Sequence, residues 1–182
     1  WAADATLFLT NFNDLLVIQP YSYAFHRRRK ELGAILEEMF PGHRQVIKPP
    51  SVAARREGIP EYQPPAAGQE MEAEIVEHKM RLLVNPSGHK TGFFLDQREN
   101  RARLVTMVRG RKVLDGCCYT GAMSIAARTL GKAGKVVGVD LDEEALAMAK
   151  RNEKLNRASI EWVHSDIFHY LKRQRHAVEP FE

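Results

Sequence analysis

Residues 113–121 constrain the fold more than any other part of the sequence. A short apolar run ends at Asp115, a turn of small residues follows, and 122–127 then has the composition of a helix. This order predicts a buried strand, a tight loop and a helix N-terminus. A second acid, Asp140, closes another apolar run nineteen residues after Gly121. That spacing is typical of a βαβ unit whose second strand presents a carboxylate to a ribose.

The middle of this loop argues against a dinucleotide ligand. Dinucleotide-binding loops follow G-x-G-x-x-G, which lets bare backbone approach a pyrophosphate. Here Cys118 and Tyr119 stand in the middle, and both side chains have bulk. A cofactor without a pyrophosphate fits better, and S-adenosylmethionine (SAM) is the common one. The alternative is a plain α/β turn with no ligand, but the loop and the two acids agree with each other.

From residue 112 onward, strand and helix patterns alternate. The predicted strands are 112–115, 135–140 and 159–164, and the predicted helices are 121–130, 142–155 and 166–174. Such alternation indicates a parallel sheet with right-handed crossovers. Ligands of open α/β sheets bind at the carboxyl ends of strands. We therefore expect Asp115, Asp140 and Asp166 to gather there, with Asp142 as the N-cap of the second helix.

The first hundred residues predict a smaller α+β arrangement. Two apolar runs around an Asn/Asp turn predict a β-hairpin over 5–20, and 22–40 has the apolar spacing of a helix. The remaining elements are a short strand at 46–48, a surface loop over 49–70 and a second hairpin over 73–84. We expect three parts: a central α+β domain (1–70), a hairpin and linker segment (71–100), and a cofactor-binding domain (101–182).

Composition sets broad limits on the class of protein. The net charge of +4 permits a polyanionic partner without demanding one. The two cysteines are adjacent, which excludes a disulfide scaffold and favours a reducing compartment, the cytoplasm. Since no apolar run is long enough for a membrane span, we expect no membrane partner. A first residue of Trp indicates a chain that begins inside a longer protein.

Basic residues cluster in two places. The run 26–30 lies in the first predicted helix, where a solvated helix face is the ordinary interpretation and contact with RNA phosphates is the sharper one. The second cluster surrounds the aromatic pair Phe93 and Phe94. These two rings are either simple core residues or part of a functional segment.

Two strings resemble a known family. The string KTGFFLDQR at 90–98, followed by VLD and YTG within 113–121, resembles the bacterial large-subunit ribosomal RNA 5-methylcytosine methyltransferases, class I enzymes that depend on SAM. The N-terminal part resembles the small α+β domain that follows their RNA-binding PUA domain. The resemblance covers nearly the whole chain. It implies the α/β fold class, with a small α+β domain followed by the N-terminal half of a doubly wound Rossmann-like sheet, in an internal fragment.

The resemblance also implies roles for the site residues. The loop 115–121 would hold the methionine part of SAM, Asp140 the ribose, and Leu141 the adenine ring. Asp166 would accept from the adenine amino group, with the backbone of Ile167 beside it. The implied cofactor-binding set is Gln97, Arg98, Asp115, Cys118, Tyr119, Thr120, Gly121, Asp140, Leu141, Asp166 and Ile167. The implied RNA contacts are Lys90, Arg101 and Arg103, with Arg27, Arg28, Arg29 and Lys30 as a possible extension, and no metal site is expected.

The catalytic groups of this family are not found in the sequence. Family members have an Asp-Pro-Pro-type motif on the fourth strand and a cysteine nucleophile beyond it, whereas this sequence ends where that strand is expected. In the whole enzyme, a thiolate adds to C6 of cytosine, C5 attacks the methyl group and a base removes the C5 proton. We therefore expect no catalytic residue in this chain and no activity of the chain alone. Cys117 and Cys118 are expected to be structural or cofactor-lining.

Two alternatives remain open. The same fold can serve a class I methyltransferase that acts on another base or on a small molecule. A non-enzymatic RNA-binding module with a vestigial cofactor pocket is the second. The main prediction is methylation of C5 of a cytosine in large-subunit ribosomal RNA, with that RNA as the partner. The sequence predicts neither the target nucleotide nor the oligomeric state.

Overall fold

A computed structural model describes residues 7–66, 71–89, 91–174 and 181. The chain forms two compact units. The first unit comprises Trp1–Ile75 and Val84–Phe93, and the second comprises Val76–Leu83 and Phe94–Glu182. Each unit has its own sheet and its own core, so each is described by itself.

The first unit is built on a three-stranded sheet of order β1-β2-β3. Strands β1 (Leu7–Phe12) and β2 (Leu15–Pro20) are antiparallel, and β3 (Arg44–Ile47) pairs parallel with β2. The predicted hairpin is confirmed, with Asn13 at φ 59° in its turn. Strand β2 is the central strand, because it pairs with both of its neighbours, and its apolar run LLVI is fully buried, whereas only Phe12 of β1 is buried. The predicted strand at 46–48 begins two residues earlier and ends at Ile47.

The helix predicted over 22–40 is divided in two. Helix α1 (Tyr23–Arg27) and helix α2 (Arg29–Met39) meet at Arg28, whose φ of −92° and ψ of 15° interrupt the helix. Helix α2 packs on the sheet through Leu36, which is buried against Leu16 and Ile18. Every residue of α1 is at least partly exposed.

The prediction of a surface loop over all of 49–70 is wrong. Helix α3 (Ser51–Glu57) occupies its first part and buries Ala53 and Ala54. Proline and glycine lie at the two ends of this helix: Pro50 is the N-cap, and Gly58 is the C-cap in the left-handed conformation at φ 67°. The segment VAARRE between them consists mainly of good helix formers.

Strands β4 (Ala73–Glu77) and β5 (Met80–Val84) form a two-stranded sheet, as predicted for the second hairpin. His78 and Lys79 form the turn at φ 47° and 75°. Two successive positive φ angles are what a tight two-residue hairpin turn requires, here supplied without glycine.

The second unit contains a parallel sheet of order β6-β7-β8. Its strands are β6 (Lys112–Gly116), β7 (Lys135–Asp140) and β8 (Glu161–His164). Its helices are α4 (Arg98–Val105), α5 (Ala122–Ile125), α6 (Glu143–Leu155) and α7 (Ile167–Gln174); α5 continues as a π-helical turn, Ala126–Leu130. The predicted alternation of strands and helices is confirmed. Asp142 is the N-cap of α6, since its carboxylate accepts a hydrogen bond from Ala145 N at 3.0 Å.

Strand β7 lies between its neighbours and is buried on both faces, as expected for a central parallel strand. On one side, Val137 and Val139 pack with Tyr170 of α7. On the other, Val136 packs with Ala127. The carboxyl ends of all three strands therefore lie at one edge of a well-packed sheet. Within the described residues, every helix is too short or too polar to cross a bilayer.

A buried ion pair joins α4 to β4. Arg101 is 2% exposed and Glu77 5% exposed. The guanidinium donates from Nε to Oε1 at 2.5 Å and from Nη2 to Oε2 at 2.8 Å, and Nη2 also reaches Phe94 O at 3.1 Å. Such two-point geometry satisfies both charges away from water.

Candidate functional site

The loop between β6 and α5 has an unusual backbone. Cys117, Tyr119 and Gly121 have φ of 60°, 51° and 80°, and only the last is a glycine. Left-handed backbone costs energy at other residue types and is concentrated at functional sites. Backbone hydrogen bonds help to hold the loop in place: Cys118 N donates to Val139 O at 3.1 Å, and Gly121 N donates to Cys118 O at 2.9 Å. The loop is therefore bound to the end of β7.

Asp140 organises the centre of the site. Its Oδ2 accepts a hydrogen bond from Tyr119 N at 2.7 Å, and its Oδ1 accepts one from Asp142 N at 2.9 Å. Each carboxylate oxygen accepts more than one hydrogen bond, so Asp140 holds the loop and retains capacity for ligand hydroxyls. The next side chain, Leu141, is 66% exposed despite being apolar. An acceptor followed by an exposed apolar side chain suits a ribose followed by a purine ring.

Asp115 lies at the carboxyl end of β6 and holds the start of α5. Its Oδ2 accepts hydrogen bonds from Ser124 N at 3.0 Å and from Ser124 Oγ at 2.6 Å. Burial raises the pKa of Asp115; the Ser124 hydrogen bonds oppose this shift, and the charge of Asp140 adds to it. The carboxyl groups of Asp115 and Asp140, at the ends of neighbouring strands, are thus close enough for their charges to interact.

The end of β8 joins the same cluster. Ser165 N donates to Asp140 O at 3.0 Å. The carboxylate of Asp166 caps α7, because its Oδ1 accepts a hydrogen bond from His169 N at 3.0 Å. Ile167 packs over Gly116: a Cβ placed at Gly116 would lie 2.9 Å from Ile167 Cδ1. The structure therefore brings the ends of β6, β7 and β8 together, and with them all the predicted cofactor residues from Asp115 to Ile167.

The indole of Trp162 lies behind the loop and explains two glycines. A Cβ at Gly138 would lie 2.4 Å from Trp162 Cζ3, and a Cβ at Gly121 would lie 2.5 Å from Cη2. The ring is held by a hydrogen bond from Nε1 to Glu153 Oε2 at 2.8 Å. Gly121 is therefore required by its φ angle and by the indole, in addition to any ligand.

Asn152 is a site residue that sequence reasoning missed. It is fully buried on α6, donates from Nδ2 to Thr120 O at 3.1 Å and accepts from Leu83 N at 2.7 Å. Its signal in the sequence is a polar residue on the apolar face that Ala145 and Ala149 define. The same kind of signal marks Ser124, also fully buried.

Cys118 and Thr120 are only 7% and 6% exposed, so their side chains offer little surface to a ligand. Burial raises the pKa of Cys118 well above that of a free thiol, and the nearby charges of Asp115 and Asp140 raise it further. The thiol therefore stays protonated, which agrees with a structural role. Cys117 is exposed, in contrast to its neighbour.

The difference in exposure between Cys117 and Cys118 predicts which of the two thiols is alkylated first. With iodoacetamide at pH 8, we expect Cys117 to be modified and Cys118 to stay intact in the folded protein, because alkylation requires an accessible thiolate. Peptide mass spectrometry after timed quenching measures both sites. In denaturant the two rates should become similar. Equal rates in the folded protein would contradict a buried, protonated Cys118.

The segment 94–98 contacts the loop through its first residue. Phe94 meets the ring of Tyr119 edge to face, with the ring centroids 5.5 Å apart. Gln97 is half-buried and its side chain accepts a hydrogen bond from Asn100 Nδ2 at 2.8 Å, whereas Arg98 is exposed. The contacts of Gln97 and Arg98 with a cofactor stay a prediction.

The three predicted RNA contacts have different outcomes. Lys90 lies outside the described residues. Arg103 is exposed on α4, where it is accessible to a phosphate. The prediction for Arg101 is wrong, because its guanidinium is buried and engaged by Glu77. A basic residue near a functional string has the same sequence signature whether it pairs inside the protein or faces solvent. No cluster of three metal-binding side chains occurs in the described part of the chain.

Comparison with known proteins identifies a matching family model and two similar curated proteins. The family model described as ribosomal protein L11 methyltransferase (PrmA) matches residues 94–178. The chain is 34% identical over 180 residues to the ribosomal RNA large subunit methyltransferase I of Serratia proteamaculans, and 33% identical over 180 residues to that of Escherichia coli. Each match covers 96% of this chain and 45% of the relative. The chain thus spans less than half the length of these curated relatives.

Solved structures show the same fold. SMU.776, described as a candidate methyltransferase complexed with S-adenosylhomocysteine (SAH), superposes with a TM-score of 0.78 at 24% identity, covering 97% of this chain and 46% of that one. A tRNA m1G37 methyltransferase of Methanocaldococcus jannaschii superposes with a TM-score of 0.65 at 20% identity, covering 89% and 47%. The predicted α/β, Rossmann-like methyltransferase fold is confirmed.

Proposed function

We propose that this chain provides the cofactor-binding part of a SAM-dependent methyltransferase that modifies large-subunit ribosomal RNA in the cytoplasm. One observation carries the proposal most directly. Asp140 stands at the end of the central strand, bound to the strained loop 117–121 and followed by the exposed Leu141. The named activity of the relatives supports ribosomal RNA as the substrate.

The residues at the strand ends fit SAM chemically. Asp140 is suited to accept from the two ribose hydroxyls, and Leu141 offers an apolar surface to the adenine. The carboxylate of Asp166 is held by the hydrogen bond from His169 N and is suited to accept a further hydrogen bond from the adenine amino group. Asp115 and Asp140 present carboxyl groups beside the loop, where they complement the sulfonium and ammonium groups of SAM. The bulk at Tyr119 disfavours a pyrophosphate.

When bound, SAM supplies a methyl group activated by its sulfonium. The residues of this chain position the cofactor: the rigid loop and Asp140 fix the ribose, and the interactions with Ser124 fix Asp115. Holding two reactants in line is a large part of the catalysis of a bimolecular transfer. We propose C5 of cytosine as the target, on the strength of the KTGFFLDQR string. Since Cys118 is buried and protonated, it is unsuited to be the nucleophile that C5 chemistry needs.

Calorimetry tests the cofactor. SAH titrated into the chain should bind with one site, whereas NAD should not bind, because the loop does not admit a pyrophosphate. Failure of SAH to bind, in a chain that is folded by circular dichroism, would overturn the proposal.

The target is tested with the natural full-length protein. Ribosomal RNA from cells lacking the modification is incubated with radiolabelled SAM, and the labelled nucleoside is identified after digestion. 5-Methylcytidine in large-subunit RNA is the expected product. Label in another nucleoside, or in small molecules alone, would contradict the proposed target while leaving cofactor binding intact.

Asp115→Asn separates the structural part of this carboxyl from its part in ligand binding. The raised pKa means that the folded state retains the proton longer than the unfolded state, so stability is lost as the pH rises through the folded pKa. Because asparagine cannot ionise, the free energy of unfolding of the variant relative to that of the wild type should increase from pH 3.5 to 7. Urea unfolding at several pH values measures this difference. At pH 7 the same variant should bind SAH more weakly than wild type. A pH-independent difference in stability would contradict the assignment.

A further inference from the structure

The first unit exposes a group of aromatic rings around α1. Tyr21, Tyr23 and Phe25 are 39%, 51% and 36% exposed, and Phe8 is 45% exposed with its ring centroid 5.2 Å from that of Tyr21. Packing within the unit covers only part of each ring and leaves 36–51% of each of these side chains exposed. Contiguous exposed aromatic surface marks a site of interaction.

The segment that carries these rings has only positive charges, and the nearest acid, Glu31, follows it directly. Residues 21–30 contain four Arg or Lys residues and no acid. Arg28 is paired with Glu31 at 2.7 Å, whereas Arg27, Arg29 and Lys30 are exposed, Arg29 also donating to His26 O at 3.2 Å. Burial, with a contribution from Arg29, lowers the pKa of His26, so this imidazole is neutral at pH 7. The positive charge of the surface therefore comes from permanently charged side chains.

We propose that this surface, the α1 ledge, binds unpaired nucleotides of RNA. It consists of Tyr21, Tyr23, Phe25, Arg27, Arg29 and Lys30. Bases stack on the rings, and the phosphates between them contact the cations. Stacked aromatics with a positive track are the common design for single-stranded nucleic acid, because every base has a π-face. The identification of this RNA as ribosomal rests on the proposed function. The proposal that the α1 ledge binds unpaired RNA rests only on its own rings and charges.

The arrangement on the helix supports this assignment. Tyr23 and Arg27 are four residues apart on α1, so a ring and a cation occupy the same helix face. Beside them, a shallow groove is lined by Phe25, the ion pair of Arg28 with Glu31, and the apolar side chains of Leu32 and Ile35. One aromatic wall and one polar edge suit a single unstacked base. A protein partner covering the rings would have to desolvate the neighbouring cations, whereas RNA supplies their counter-charges.

Fluorescence anisotropy with a labelled 12-nucleotide RNA tests the ledge, with the same strand annealed into a duplex as the comparison. Tyr23→Ala with Phe25→Ala should weaken binding of the single strand at least tenfold and change duplex binding little. Tyr23→Phe with Phe25→Tyr keeps both rings and should bind like wild type. Arg27→Ala with Arg29→Ala should lower the slope of log K against log salt by about 1.4, since each phosphate that a cation neutralises contributes roughly 0.7 to the slope for a single strand.

The matched control is Arg55→Ala with Arg56→Ala, which removes the same charge from the exposed face of α3 in the same unit. Unchanged single-strand affinity in the Tyr23/Phe25 double alanine variant would overturn the proposal. Equal losses of affinity in the ledge and control charge variants would overturn it too, because only net charge would then matter. SAH calorimetry on the same proteins separates the two proposals: absence of SAH binding in wild type counts against the proposed function alone.

Discussion

Replacing Arg101 by Met should lower the free energy of unfolding by about 3–5 kcal/mol. The substitution leaves the carboxylate of Glu77 buried at 5% exposure without its two guanidinium hydrogen bonds. An uncompensated buried charge is among the most destabilising features a single mutation can create. Urea unfolding followed by circular dichroism measures the change.

Two further variants make this result specific. Arg103→Met removes the same charge from an exposed position on the same helix and should change stability by less than about 0.5 kcal/mol. Arg101→Met combined with Glu77→Leu should recover most of the loss, since a buried pair can be exchanged for apolar side chains at little cost. Phe94 O keeps a hydrogen bond from Gln97 N in both cases. A double variant as unstable as Arg101→Met would show that the pair contributes through packing rather than charge.

Asp140→Ala should weaken SAH binding by about 1.5–3 kcal/mol, roughly 10- to 150-fold. This substitution removes the acceptor proposed for the ribose hydroxyls, and it also releases Tyr119 N and Asp142 N, which hold the loop and the start of α6. Isothermal titration calorimetry with SAH measures the affinity, and circular dichroism establishes that the variant is folded.

Glu144→Ala is the matched control for Asp140→Ala. It removes one negative charge from an exposed position in the first turn of α6, four residues away along the chain, and should leave the affinity within a few tenths of a kcal/mol. Asp140→Asn retains one acceptor oxygen, so an intermediate loss is expected. Wild-type affinity in folded Asp140→Ala would exclude Asp140 from cofactor recognition.

Much of the second unit could be predicted because its signals are local. Each strand is a short apolar run, helices α6 and α7 begin at capping carboxylates, and Asp115, Asp140 and Asp166 lie at or just after the carboxyl ends of their strands. Parallel pairing then brings consecutive strand ends to one edge without any long-range information. Local signals misled where proline and glycine indicated a loop, because around α3 they mark only the two ends of a helix.

The roles of individual polar residues could not be predicted from local pattern. Arg101 and Arg103 are two positions apart in one basic stretch, yet the first is buried in an ion pair and the second is exposed. Which of them turns inward depends on Glu77, a partner 24 residues away in another element. Asn152 was likewise unrecognised, because the backbone groups it binds belong to a distant strand and to the loop.

The sequence alone determined the alternation of strands and helices and the acids at the strand ends, because periodicity and spacing are properties of neighbouring residues. Only the tertiary structure decided that Gly121 and Gly138 make room for Trp162, that Cys118 is a buried thiol, and that Arg101 is an internal cation. The physical reason is that burial and hydrogen-bond partners are set by whichever distant elements pack against a residue. A side chain's chemistry says what it can bind, and the packing around it decides what it does bind.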